Sequence, residues 1–145
     1  MAAINQMTAD DMAYAHNVLD HARTEHARQV AAGQRPRGSS FTDLLRDNGA
    51  QRAARQSYAL DLENQGFDDD EIAEIMGGVD ATHFLDIVAG GDPSSVGIGG
   101  SAENRGIGRQ WIREGRAEGL GQAARGMRQD GLADRRMNVN LERCR

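Results

Sequence analysis

With 145 residues, the sequence has room for one domain with a hydrophobic core but not for two of ordinary size. Aromatic residues make up only 4% of it and prolines number two, which argues against a β-rich fold, so we predict an all-α fold in a single, mainly helical domain. The net charge of −5 argues against a uniformly basic surface of the kind that binds nucleic acids.

The cysteine content and the hydropathy pattern narrow the cellular setting. Cys144 is the only cysteine and cannot form an internal disulfide, so nothing requires an oxidising compartment. No apolar run approaches the length of a membrane span, and we expect no membrane contact. The first residues lack the basic start and apolar stretch of a secretory signal peptide. If the protein is secreted, either other machinery carries it or its signal lies on a part of the parent chain outside this sequence.

The charges are segregated along the chain. Residues 1–55 carry seven arginines against six acids, residues 56–103 carry eleven acids and no arginine, and residues 104–145 carry ten arginines against five acids. An acidic middle suits a bound cation, and an arginine-rich end suits an anion such as phosphate.

The first predicted helix begins after Thr8, which with Asp11 has the pattern of a helix N-cap, and runs to about Ala32. Its histidines are five residues apart, so each is rotated by about 140° from the last and they cannot share one metal ion. We expect them to be solvated or half-buried: His16, His21 and His26. Residues 1–38 form an N-terminal helix and loop, residues 39–145 form the main part, and the two make one compact unit.

A second helix is predicted to start at Ser40 with Asp43, to break near Asn48 and to continue past Tyr58. Asp61 lies three residues beyond Tyr58 on the same, inward face, which makes it a candidate second carboxylate of a functional site. A pair with a nearby arginine is the alternative for Asp61.

A third helix is predicted after Asp68, with Glu71 completing the cap. Its apolar residues recur at helical spacing and are predicted to lie in the core: Ile72, Ile75, Met76 and Val79. The acids at 68–70 suit the first turn of a helix and lack the spacing of a calcium-binding loop.

A short helix from about Ala81 to Ala89, capped by Asp80, is predicted next, with Phe84 and Val88 in its buried stripe. His83 and Asp86 would share another face, because residues three apart lie on one side of a helical turn. An H-x-x-D pair alone is equally consistent with a structural hydrogen bond. It is followed by the run GGDPSSVGIGGS, which predicts a long glycine-rich loop near the active site.

A helix from about Ala102, capped by Ser101, is predicted to carry a stripe of arginines within about 80° of arc. These are Arg105, Arg109, Arg113 and Arg116. Such a stripe is either a solvated charged face or a row of guanidinium groups for phosphates. The tail from Gly121 is predicted to continue helically through Met127 to Leu132.

Several motifs of this region together resemble a known family. They are His83-Phe84-Leu85-Asp86, Ala89-Gly90-Gly91-Asp92-Pro93, Asn104-Arg105-Gly106-Ile107-Gly108 and Trp111. The sequence thereby resembles the bacterial polymorphic-toxin type-fifteen domain, a family characterised by an H-x-x-D motif that includes antibacterial DNase effectors of the type VI secretion system. The resemblance spans about residues 40–115, and its specific part is 83–111. The first 35 and last 30 residues carry nothing assignable to it.

The resemblance implies a mostly helical toxin that degrades double-stranded DNA with magnesium in the cytoplasm of a rival bacterium. It also implies delivery by the type VI secretion machinery and neutralisation by a cognate immunity protein. The catalytic assignment carries over to His83 and Asp86 only.

Phosphodiester chemistry suggests roles for the neighbouring residues. Mg²⁺ prefers carboxylate oxygens and keeps several waters, so one or two carboxylates suffice. Asp86 is the first choice as ligand, followed by Asp92, Asp61 and Asp80. His83 would act as general base or, alternatively, as the acid for the leaving group, since histidine is the side chain that most often transfers protons in catalysis.

The arginine stripe suits a role on the DNA backbone, with phosphate contacts expected from Arg105, Arg109 and Arg113. Two alternatives remain open. One is a non-enzymatic helical interaction module, in which the arginines bind an acidic partner protein. The other is a hydrolase of RNA or another phosphodiester.

Overall fold

The computed structural model describes residues 2–140, so Cys144 lies outside the described residues. The helices are α1 (Ala2–Gln6), α2 (Ala9–Ala31), α3 (Asn48–Asn64), α4 (Asp69–Gly77), α5 (Ser101–Ile112) and α6 (Arg116–Gln129). The strands are β1 (Val79–His83) and β2 (Val96–Gly100), and 3-10 turns span Phe41–Leu44, Ile87–Ala89 and Arg113–Gly115. Among the described helices, none combines the length and the apolar character that crossing a membrane requires.

Two helix starts confirm the predictions from local sequence. Thr8 and Asp11 form a capping box, in which each side chain accepts a hydrogen bond from the other residue's backbone N–H, and α2 begins directly after it. Asp68 and Glu71 form the same arrangement at the start of α4. The end of α2 at Ala31 lies one residue before the predicted end.

The region of the second predicted helix divides in two. Its first part is only a 3-10 turn at Phe41–Leu44, and α3 begins at Asn48, where the break was predicted. The side chain of Asp47 caps α3 by accepting a hydrogen bond from Ala50 N at 2.9 Å. Asp61 is exposed to solvent, so its predicted inward position was wrong.

The prediction that the apolar residues of α4 lie in the hydrophobic core was also wrong. Ile72, Ile75 and Met76 are half-buried, and no residue of this helix is fully buried. Val79, which was expected to complete the stripe, begins β1 instead.

A β-hairpin replaces the short helix predicted over residues 81–89, so the fold is mainly helical but not all-α. The two strands pair antiparallel, with Val79 opposite Gly100 and His83 opposite Val96. The second half of the expected glycine-rich loop is therefore β2. On one face of the hairpin, the side chain of Phe84 lies over Gly97 and that of Thr82 lies over Gly99. There is room for both because the glycines have no side chains.

The core lies where α2 packs against α6, and the connection between the two strands of the hairpin is inserted into it. The buried cluster contains Ile4, Ala9, Met12, Ala13, Leu85, Ala89, Leu120, Ala124 and Met137. Leu85 and Ala89 thus anchor both ends of the segment that carries Asp86. Phe84 was expected in a buried stripe but is exposed.

His16 belongs to this core, contrary to the prediction of a solvated or half-buried side chain. It is only 3% exposed, and its Nε2 lies 3.2 Å from the carbonyl oxygen of Ala89, to which it must donate. Gly121 of α6 leaves room for the ring, because a Cβ on this glycine would come 2.5 Å from Nδ1. His21 is exposed and His26 half-buried, as predicted.

The last described segment returns to the beginning of the chain. Met137 N donates to Met7 O at 2.9 Å, and Ala9 N donates to Arg135 O at 2.8 Å. The predicted helix to Leu132 was wrong, because α6 ends at Gln129. The division at residue 38 stays a prediction.

Candidate active site

His83 occupies the last position of β1 and does not lie on a helix. Its Nε2 is buried and has no hydrogen-bond partner within residues 2–140. A buried polar atom without a partner is unfavourable, and such atoms are enriched where a ligand or a reaction uses them. No hydrogen bond joins His83 to Asp86 in the described part of the chain, so the structural alternative for this pair has no support there.

Asp86 follows three residues later and caps the 3-10 turn Ile87–Ala89. Its Oδ1 accepts a hydrogen bond from Val88 N at 3.1 Å. Its other oxygen, Oδ2, lies against Gly108 of α5. A Cβ added to this glycine would come 3.2 Å from Oδ2. Because the neighbours of Asp86 in the turn are buried, the carboxylate stands on a fixed piece of backbone.

Two glycines shape the segment behind Asp86. Gly90 has φ +97°, and a Cβ there would come 2.9 Å from Sδ of Met12. A Cβ on Gly91 would overlap the carbonyl group of Leu85. Only glycine fits these positions, and this explains the Gly90-Gly91 part of the motif in structural rather than catalytic terms.

His83 and Asp86 line the same cavity, which we call the HxxD cavity and which has a volume of about 400 Å³. The two strands of the hairpin and the connection between them form one part of its wall, with Thr82, Phe84, Leu85, Gly99 and Gly100. α5 and the start of α6 form another part, with Glu103, Asn104, Ile107, Gln110, Trp111 and Arg116.

The contribution of α5 includes polar groups that the sequence analysis did not single out as site residues. Glu103, Asn104 and Gln110 recur at the spacing of one helix face, which they share with Trp111. The carboxylate of Glu103 folds back against the backbone of Gly100. This periodicity is the signal that could have identified them, once Trp111 was known to face the interior.

The other predicted carboxylates lie outside the HxxD cavity. Asp61 is exposed on α3, and Asp80 lines a separate cavity of about 690 Å³. Asp92 is exposed, and hydrogen bonds from the backbone N–H and hydroxyl of Ser94 lower its pKa, with a smaller contribution from nearby His83. Asp92 lines a larger cavity of about 960 Å³ beside α2.

Of the four candidate metal ligands, only Asp86 lines the HxxD cavity, which Glu103 also lines. No three His, Cys, Asp or Glu side chains among residues 2–140 are arranged to enclose a metal ion. One or two carboxylates are the protein ligands of an ion that keeps most of its waters, as Mg²⁺ does.

The arginine stripe is divided by a break at the end of α5. Glu114 has φ +59°, so Arg113 lies in a 3-10 turn and Arg116 begins α6. Arg105, Arg109 and Arg113 are exposed and do not line the HxxD cavity. Arg116 does line it, and it pairs with Glu114 at 3.4 Å. Phosphate binding by the first three arginines stays a prediction, and it would concern DNA outside the cavity.

Comparison with known proteins identifies one family. A family model described as Novel toxin 15 matches residues 1–144. The match confirms the resemblance inferred from residues 83–111, and it extends over the first 35 and last 30 residues, which the motifs had left unassigned. No curated protein and no solved structure gives a significant match.

Proposed function

Because this chain belongs to the Novel toxin 15 family of polymorphic toxin domains, we propose that it acts as an antibacterial toxin that hydrolyses phosphodiester bonds of DNA. The observation that carries the nuclease proposal is the buried Nε2 of His83, which has no hydrogen-bond partner within residues 2–140, on a residue that lines one cavity together with Asp86 and Glu103. A basic nitrogen beside two carboxylates is the donor set that phosphodiester hydrolysis requires.

In this proposal His83 is the general base. Its Nε2 accepts a proton from the water molecule whose oxygen attacks phosphorus, while the bond from phosphorus to the leaving oxygen breaks and the leaving oxygen takes up a proton from solvent water. Within residues 2–140 no protein group bonds to the buried Nε2, so the water would have to reach this atom from the HxxD cavity, which His83 lines. The strand position of His83 and the buried turn at Asp86 would keep both groups in place.

The cofactor we propose is Mg²⁺, with Asp86 as a ligand and Glu103 as the second carboxylate. When bound, the ion supplies a Lewis acid that neutralises charge on the phosphoryl oxygens. Asp92 and Asp61, the other ligands expected from the sequence, lie outside the HxxD cavity and are not part of this proposal.

The biological setting follows from the family. A toxin domain without a spanning helix among its described residues is consistent with a secreted effector. We propose that the type VI secretion machinery delivers it into the cytoplasm of a rival bacterium. A cognate immunity protein would protect the producing cell by binding the toxin.

The test is plasmid cleavage by the purified protein with Mg²⁺, compared with EDTA, His83→Ala and Asp86→Ala. We expect loss of cleavage in all three cases, with folding of the variants verified by circular dichroism. His21→Ala is the matched control, because His21 is an exposed histidine on α2, and it should cleave like the wild type.

An intact plasmid with folded wild-type protein at low salt would refute the DNase proposal. Cleavage of RNA under the same conditions would then identify a ribonuclease, with His83→Ala again as the inactive variant. Absence of both activities, together with binding of an acidic protein through the exposed arginines, would identify an interaction module.

A further inference from the structure

We propose that Phe84 and Ile107 form a stacking site for one nucleobase of the DNA, next to the phosphate that would be attacked by the water molecule His83 activates. The proposal rests on the function proposed above and specifies its substrate: a nucleotide that is unpaired or turned out of the duplex. A base inside a paired duplex cannot reach such a site, because its faces are covered by its neighbours.

Phe84 directly follows His83 and is 71% exposed. A single exposed aromatic residue is unremarkable by itself. However, the edge of this ring lies over the backbone of Gly97, where a Cβ on the glycine would come 3.1 Å from Cε1. Glycine weakens a strand, so its presence here is best explained by the close approach of the ring. The result is a solvent-facing aromatic surface that lines the HxxD cavity together with His83.

A second apolar side chain reaches the same cavity from another element. Ile107 lies on α5 and is 54% exposed, although the remainder of the cavity lining is rich in polar groups. The volume of about 400 Å³ falls within the range of roughly 300–1,000 Å³ for sites that bind small organic molecules. A planar heterocycle can therefore be accommodated between an aromatic and an aliphatic contact.

Two amide side chains complete the argument. Asn104 and Gln110 line the HxxD cavity, and neither side chain makes a hydrogen bond within residues 2–140. An amide offers both a donor and an acceptor, which is the combination that the edges of nucleobases match. The stacking surface and the two amide side chains together favour a nucleobase over a purely apolar ligand.

Phe84 also contributes to the larger cavity of about 960 Å³, so a protein segment docked there is the competing occupant. The larger cavity has two acidic lining residues, Asp11 and Asp92, and no basic one among the described residues, whereas the HxxD cavity is also lined by Arg116 and His83. His83 lines only the HxxD cavity. A nucleotide with its phosphate at His83 therefore places its base on the HxxD side of Phe84.

The test measures binding rather than cleavage, in a His83→Ala background. Fluorescence anisotropy gives the affinity for a short single-stranded DNA and for the same strand with abasic residues. We expect Phe84→Ala to weaken binding of the normal strand by about 5- to 100-fold and to leave binding of the abasic strand unchanged. Phe84→Trp should retain the preference for bases.

Tyr14→Ala is the matched control, because Tyr14 is 70% exposed but lines only the larger cavity. It should bind both strands like the parent protein. Equal losses for normal and abasic strands in Phe84→Ala, or no loss, would overturn the stacking site. Equal losses in Phe84→Ala and Tyr14→Ala would also overturn it and would assign both aromatic residues to a docking surface.

The outcome separates this inference from the proposed function. If the wild type cleaves plasmid but Phe84→Ala binds both strands normally, only the stacking site is wrong. If Phe84→Ala selectively loses the normal strand and the wild type cleaves no DNA, the stacking site stands and the nuclease proposal fails.

Discussion

The carboxylate of Asp86 lies directly against Gly108, so closely that a Cβ on this glycine would come 3.2 Å from Oδ2. Such a distance is tighter than ordinary van der Waals contact. α5 can therefore pack beside the turn that carries Asp86 only because residue 108 has no side chain. This contact links the position of the helix that lines the HxxD cavity to the position of the carboxylate.

Gly108→Ala should consequently lower the rate of DNA cleavage. The added methyl group must displace the carboxylate or α5 by a few tenths of an ångström, and small misplacements of catalytic groups are costly, so we expect a loss of about tenfold. The control is Gly106→Ala on the same helix, where a Cβ meets nothing within 4 Å. Plasmid cleavage rates at matched thermal stability are the measurement, and equal rates for the two variants would contradict the argument.

Gly121→Ala should destabilise the fold, because the new Cβ would come 2.5 Å from Nδ1 of the buried His16 ring. Overpacking of this kind costs about 1–3 kcal/mol. Gly119→Ala in the same helix meets nothing within 4 Å and should be neutral or stabilising, since alanine favours helix over glycine by about 1 kcal/mol. Urea denaturation of the two variants measures the difference. A Gly121→Ala protein as stable as Gly119→Ala would show that the His16 ring can move aside.

The stability of the fold should fall as the solution becomes acidic. Burial lowers the pKa of His16 below its ordinary value of about 6.5, although the bond to Ala89 O partly opposes this. Between the two pKa values, His16 binds a proton in the unfolded chain but not in the folded chain. The contribution of neutral His16 to the free energy of unfolding is therefore complete above about pH 6.5. It is lost progressively as the pH falls toward the lower pKa of the folded state.

The check is the free energy of unfolding between pH 5 and pH 8, for the wild type and for His16→Gln. Glutamine does not titrate, and its amide can still donate to the carbonyl of Ala89. We expect a flatter pH dependence in His16→Gln than in the wild type. His21→Gln, at an exposed position of α2, should retain the wild-type slope. An unchanged slope in His16→Gln would exclude this histidine as the source.

Replacing Arg105, Arg109 and Arg113 together by alanine should weaken binding to duplex DNA and make it less dependent on salt. Each phosphate contact contributes about 0.9 to the slope of log affinity against log salt concentration. All three side chains are exposed, so the fold should tolerate their loss. Arg37→Ala in the loop after α2 is the control. An unchanged slope in the triple variant would show that the three arginines form a solvated charged face and do not contact phosphates.

The parts of the fold that the sequence predicted are those whose signals are local. Both capping boxes join residues three apart by side-chain to backbone hydrogen bonds: Thr8 with Asp11, and Asp68 with Glu71. Caps of this kind can be recognised in the sequence. The hairpin is not visible in this way. Its strands pair across a connection of twelve residues, and β2 consists mainly of glycine, which has a low preference for strands.

The candidate site shows the same contrast. The H-x-x-D spacing singled out His83 and Asp86, although a strand end and a turn present them instead of a helix. The contributions of Glu103 and Gln110 depend on how α5 is rotated relative to the hairpin, which is fixed by tertiary packing. Likewise, no pattern around His16 could reveal that a glycine more than a hundred residues later would make room for its ring.

The contact between the two ends of the described structure determines when the domain can fold during translation. The side chain of Asn5 bonds to the backbone of Val139 in both directions, at 2.8 and 3.3 Å. A ribosome releases Asn5 early and Val139 only after 133 further residues have been joined, so the core around Ile4 lacks Met137 for most of translation. We therefore expect the nascent chain to acquire its complete fold only after the segment around Val139 has left the exit tunnel.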